Sequence, residues 1–262
     1  MPQLTTHTSA GVGRALMGWP AEPMRVPLAL LAGLLALLAW DASGLDLTLS
    51  RWVGTAAGFA WRDSLWTATV LHDGGRWGAW AVMGLLAAIA LRIPPLHTPA
   101  AAAAAHYPSR PSRGERGYWL AVMLLCMLLV PAIKRFSTTS CPWDLAEFGG
   151  AAQYLSHWRW GVPDGGGGRC FPSGHAVAAF GFLGQYFMWR RHDRQRARLW
   201  LWGVCAAGVL FGAGQWLRGA HFVSHTLWSA WLCALFCATA GAVRRAPKAP
   251  VAPRALAVTE AP

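Results

Sequence analysis

The sequence has no GxxxxGK[ST] loop, no GxGxxG turn after a strand, no CxxC pair and no internal repeat. The first two absences remove the glycine-rich phosphate cradles of nucleotide-binding folds, and the third removes the commonest zinc spacing. Period-two alternation is missing too, so no half-buried β-strand is expected. Charge is scarce: Asp, Glu, Lys and Arg make up 13% of the chain, with 11 acidic residues against 23 basic ones. A soluble helical bundle would interleave charge with apolar residues at helical spacing. Here the two are segregated.

Apolar residues are abundant, at 55% with a mean hydropathy of +0.31, and they come in blocks of Leu, Ala, Val, Met and Trp separated by short charged stretches. That is the pattern of membrane spans and their connections, and 262 residues suffice for one domain of this kind. The net charge of +12 does not point to nucleic acid, because most Arg residues stand beside apolar runs and not along a polar helical face. A bilayer surface accounts for them. Trp19, Trp40, Trp77, Trp119, Trp189 and Trp200 flank apolar runs, where an indole meets the headgroup level.

The reading is an all-α bundle of six transmembrane helices, at 26–40, 77–91, 118–133, 171–189, 199–217 and 222–243. The first three runs fall short of the roughly 20 residues that cross a bilayer, so they must extend into their flanks. The first also fits a signal-peptide core behind Arg14 and Arg25, with Ala42-Ser43-Gly44 as a poor cleavage site. Residues 47–71 mix Trp52, Phe59, Trp61 and Trp66 with Arg51, Arg62 and Asp63, as an interfacial amphipathic helix does. The organisation expected is a cytoplasmic segment at 1–25, a membrane-embedded domain at 26–243 and a disordered cytoplasmic tail at 244–262. The alanine run at 100–105 belongs to a low-complexity loop. With the N-terminus in the cytoplasm, the inner connections hold 15 basic and 4 acidic residues and the outer ones 8 and 7. The positive-inside rule favours this orientation.

It turns three unusual segments to the same outer face. Lys134 to Asp144 ends the third run, Arg169 to His175 opens the fourth, and Gln215 to His225 joins the last two. Together they bring Lys134, Arg169 and Arg218, the Ser173 hydroxyl, the close-approach Gly174 and the imidazoles His175, His221 and His225 to one membrane level. Pro172 reads as the first turn of a helix whose free amides would favour an anion. Phosphate transfer spreads negative charge over three oxygens, which such donors stabilise, while one imidazole attacks phosphorus and another protonates the leaving oxygen.

On these residues the sequence resembles the type 2 phosphatidic acid phosphatase family, membrane relatives of the vanadium haloperoxidases, with signatures K-x6-R-P, P-S-G-H and S-R-x5-H-x3-D. P-S-G-H is complete at Pro172 to His175. Lys134 matches the first signature, with Cys141-Pro142 in place of Arg-Pro. The third has Gly214-Gln215 in place of Ser-Arg, then His221, then His225 in place of Asp. The resemblance implies six helices, a site at the extracytoplasmic face, no cofactor or metal, and a phosphohistidine on His221 with His175 as general acid. Arg169 and Arg218 are the candidates to restore the missing arginine charge, and His225 to orient His221 from one helical turn along.

Other residues have plainer readings. Arg135, Arg159 and His157 read as interfacial orientation residues. Asp144 and Glu147 fit either solvated loop acids or an orienting acid, and Cys126, Cys205, Cys233 and Cys237 read as packing thiols. Only Cys141 and Cys170 fall in outward connections, where an oxidising compartment would join them. The expected partners are the bilayer and a membrane lipid phosphate, not nucleic acid, in a multi-pass cell-membrane protein of the bacterial inner-membrane kind. A phosphotransferase to a second lipid and a non-catalytic transporter or assembly partner are the alternatives. The chosen lipid and the oligomeric state are not legible.

Overall fold

The computed structural model describes residues 22–92 and 110–244; the expectations for the N-terminal segment, the alanine-rich loop and most of the tail lie outside the described residues. Helices dominate: α1 Glu22–Ser43, α2 Leu45–Val53, a π-helix Leu65–Gly74 running into α3 Gly75–Arg92, α4 Arg113–Lys134, α5 Val177–Phe180, α6 Leu183–Trp189, α7 Arg194–Leu217 and α8 Val223–Val243. Among the described residues, five stretches are long and apolar enough to cross a membrane, namely Met24–Ser43, Leu65–Leu91, Arg113–Lys134, Arg194–Leu217 and Val223–Val243. At 1.5 Å per α-helical residue, the four lying in α-helices each match a hydrocarbon core of about 30 Å. Their outer faces carry bare Leu31, Leu35, Leu85, Leu128, Trp202 and Val209, which suit lipid and not water.

The expected fourth span is different. Residues 171–189 do not form one helix: the first regular turn begins only at Val177, and the chain breaks between Phe180 and Leu183. At Gly181 a β-carbon would stand 2.8 Å from the Val177 carbonyl oxygen. The apolar run misled because this segment is apolar on every side, being enclosed by α4, α7 and α8. Val177, Phe180, Leu183 and Phe187 pack with Met123, Cys126, Val130, Cys233 and Cys237 in the main core. Gly208 on α7 lets the Phe180 ring lie against the helix backbone, where a β-carbon would collide with it.

Residues 47–71 are not one interfacial helix either. Gly54 leaves α2 in an extended conformation, and a two-residue antiparallel pair, Gly54–Thr55 with Gly58–Phe59, corrects the expectation of no strand. Ser64 then caps the π-helix by accepting from the Trp66 amide, so the second long helix starts twelve residues before the expected 77. At the opposite end of the bundle, Glu115 on α4 meets His192 at 2.9 Å, tying α4 to the α6–α7 turn.

Candidate active site

The C-terminus of α4, the C-terminus of α7 and the N-terminus of α8 meet at one end of the bundle. After α7 the backbone closes on itself, with the Gln215 carbonyl accepting from the amides of Ala220 at 2.9 Å and His221 at 3.3 Å. Gly219 has φ 69°, and a β-carbon there would run into the Phe59 ring, so only glycine fits both the conformation and the space. This turn holds His221 two residues before α8 begins at Val223, with 4% of its surface exposed. Asp46 caps α8 from outside, accepting from the Ser224 amide at 3.0 Å and from the Ser224 hydroxyl.

His225 does not orient His221 as expected. Because His221 precedes the helix, the two side chains do not share its face, and their rings stand 5.8 Å apart at 64°. The His225 Nδ1–H donates to the Cys170 carbonyl at 3.1 Å instead. Cys170 is joined to Cys141 in a disulfide with Cα atoms 5.2 Å apart. Its Sγ lies 3.4 Å from His221 Nδ1 and 3.3 Å from the Ala220 oxygen. A disulfide sulfur carries no hydrogen, so these are packing contacts. The sulfurs and His221 also come within 4.8 Å of one another, but they offer no thiolate to a metal.

Ser173 is wholly buried, and its amide donates to the His225 carbonyl at 3.1 Å. Its hydroxyl accepts from the Ala176 amide at 3.4 Å. The expected helix N-terminus at Pro172 is therefore a turn, with one of its amides already bonded. Gly174 faces Lys134, whose Cδ would be 3.7 Å from a β-carbon at 174. Arg218 donates from Nε to the Arg62 carbonyl at 3.1 Å and lies 5.5 Å from the Trp143 ring centre. Arg169 is not brought in: its backbone is left-handed at φ 57° and its side chain is exposed. Burial first, then the charges of Lys134, His225 and His175, hold the His221 imidazole well below its ordinary pKa, so it is a neutral base near neutrality.

Two groups of residues escaped the sequence reading. The first is the π-helix: His175 donates from Nε2 to the Leu71 carbonyl at 3.1 Å, and its ring lies 4.8 Å from that of His72. The only local signal was an ionisable pair, His72-Asp73, beside an apolar run. The second is Gln215, 2% exposed, whose Nε2 has no partner among the described residues. It stands where the third signature has arginine, so the signature itself was the clue. His157 is not an interfacial residue but a buried one, stacked on Phe171 with ring centres 4.0 Å apart and 3.3 Å from Asp41. Glu147 pairs with Arg51 at 2.5 Å and Asp144 accepts from the Cys141 amide at 3.3 Å, so neither is hydrogen-bonded to His221.

Long apolar helices with a lysine, an arginine, a buried serine and paired imidazoles gathered at one end make this a helical protein of membrane type. Residues 117–246 match the family model of the PAP2 superfamily, and the chain belongs to that superfamily. The match contains all three signature segments and leaves out α1, α2 and the π-helix. No curated protein and no solved structure matches the chain.

Proposed function

We propose that this protein is a metal-independent lipid phosphate phosphatase acting through a phosphohistidine on His221. The observation that carries this reading is the neutral, buried His221 imidazole, held at the turn before α8 beside Lys134 and the complete Pro172-to-His175 turn. The substrate phosphate sits against Lys134, the Ser173 hydroxyl, the Gly174 amide, Arg218 and the Gln215 amide group. His221 Nδ1 faces the disulfide, so Nε2 attacks. The P–N bond forms as the ester P–O bond breaks, and the leaving alkoxide takes a proton from His175. Burial first, then the neighbouring His72, Arg218 and Arg76, hold the pKa of the free His175 imidazole down at about 4, and it is the substrate anion beside it that favours the imidazolium supplying this proton. Water then attacks phosphorus, His175 takes its proton back, and the P–N bond breaks to release phosphate. His225 acts one step away, by holding Cys170 under His221.

The broken α5–α6 segment counts as the sixth pass, within a membrane domain at 26–243. The N-terminus and tail are cytoplasmic and the site faces outward from the cell membrane, in a bacterium the inner one. The basic residues of the inner connections support this orientation. Phosphatidic acid, phosphatidylglycerol phosphate, a polyprenyl diphosphate and a phosphorylated saccharolipid all offer the same group. Phosphate release from this panel by detergent-purified protein, with His221→Ala as control, tests the reading. Release is expected from at least one lipid and is lost in the variant. No release, or release that survives His221→Ala, overturns it, and release only with a second lipid as acceptor makes the protein a phosphotransferase.

A further inference from the structure

His175 follows a turn and precedes the first regular helix at Val177, so no helix of its own fixes its ring. Other elements do so. The Leu71 carbonyl takes its Nε2–H at 3.1 Å, the His72 ring lies 4.8 Å away at 32°, and the Phe211 ring of α7 lies 5.1 Å away at 49°. His72 is fixed in turn, since its Nδ1–H donates to Asp73 Oδ1 at 3.1 Å and Arg76 approaches the same oxygen at 3.6 Å.

The sequence makes room for this arrangement at two glycines. A β-carbon at Gly75 would stand 2.9 Å from the Phe211 ring, and one at Gly214 would stand 2.9 Å from Leu71 Cδ1. Each glycine lets the π-helix and α7 close on one another, with the His175 ring touching both. A π-helix is uncommon, and such turns gather at functional sites. It places Leu71, His72 and Asp73 together at the point where His175 needs a partner. These residues lie outside the 117–246 family match.

We propose that His72, held by Asp73, is the positioning residue for the general acid His175. The inference rests on the reading of His175 as the proton donor. A proton donor matters most when the leaving group is a poor one. An alkoxide needs the proton in the transition state, whereas a nitrophenolate leaves without it. A defect that acts through His175 must therefore depend on the leaving group, and a general loosening of the fold must not.

The test compares kcat/KM, which reports phosphoenzyme formation, for phosphatidic acid and p-nitrophenyl phosphate with the full chain in detergent. His175→Ala is expected to fall about a hundredfold or more on phosphatidic acid, the usual scale of general acid catalysis, and little on the aryl ester. His72→Ala is expected to show the same split at about tenfold, the low end for an orienting partner. His72→Phe keeps a ring against His175 and recovers part of the loss. Asp73 is half-exposed and safe to change. Asp73→Ala should parallel His72→Ala, while Asp73→Asn, which keeps an oxygen acceptor, should be rescued. Equal losses on both substrates in His72→Ala and Asp73→Ala, or no loss in either, overturn the inference. If His175→Ala itself loses equally on both, the reading of His175 as proton donor has failed, and the inference falls with it.

Discussion

Replacing Cys141 by alanine removes the only covalent tie between the end of α4 and the turn that carries Ser173 and His175. The bridge closes a sequence separation of 29 residues, and loop-closure entropy for that length amounts to about 3 to 4 kcal/mol. This favours opening of the outer loop more than melting of the bundle, because α4, α7 and α8 keep their core. At about 1.4 kcal/mol per tenfold, the open population should rise by roughly two to three orders of magnitude. The amides of Arg169 and Cys170 report it directly, since they donate to the Ser137 and Thr139 carbonyls at 2.7 and 2.9 Å. Their hydrogen exchange in Cys141→Ala should speed up by about a hundredfold or more, while exchange in the middle of α4 stays unchanged. Turnover should fall too, because the Cys170 carbonyl holds His225 and its sulfur backs His221 Nδ1. Exchange within tenfold of the wild type, with full activity, would refute the reasoning. Asp164, which accepts from the Ser140 amide and hydroxyl, would then be what holds the loop.

Four further outcomes follow from other parts of the structure. His221 is neutral because burial lowers its pKa, so it protonates only when pH falls through that lowered value; the acid limb of kcat/KM should lie below about 6.5, the ordinary histidine value, and a limb at or above it contradicts the burial argument. The same shift makes stability fall as pH drops below that value, since the unfolded chain takes the proton first. Asp46→Ala leaves Ser224 and Trp40 without their shared acceptor and should cost about 3 kcal/mol in detergent melts, with Asp46→Asn costing less. Gly219→Ala meets both a left-handed backbone and the Phe59 ring, so phosphate release should fall at least about tenfold while the protein still accumulates.

The C-terminal half of the site was readable because its chemistry lies in short segments. Pro172 to His175, Lys134 and His221 stand close to apolar runs that announce where helices end. The N-terminal half was not readable, because its contributions arrive across the chain: Leu71 reaches His175 over 104 positions, Asp46 reaches Ser224 over 178, and Asp41 reaches Trp228 over 187. No local pattern marks such pairs. The role of His225 failed for a smaller reason. Four-residue spacing means a shared face only inside a helix, and α8 starts two residues too late for His221. Residues 171–189 failed in the opposite sense, since an apolar run does not distinguish contact with lipid from contact with protein.

That last segment has a consequence for how the molecule is made. A chain delivered to the bilayer from its N-terminus presents 177–189 before α7 and α8 exist to enclose it. Its side chains Val177, Phe180, Leu183 and Phe187 find their packing partners Val204, Cys233 and Cys237 on those two helices. The segment therefore reaches its folded surroundings only when the last two helices are in place. The turn of Pro172 to His175 rides on the same segment. The candidate site is thus assembled only once α8 is in place, and a chain ending at Trp189 would carry the P-S-G-H signature without His221 and without the His225 carbonyl that Ser173 bonds.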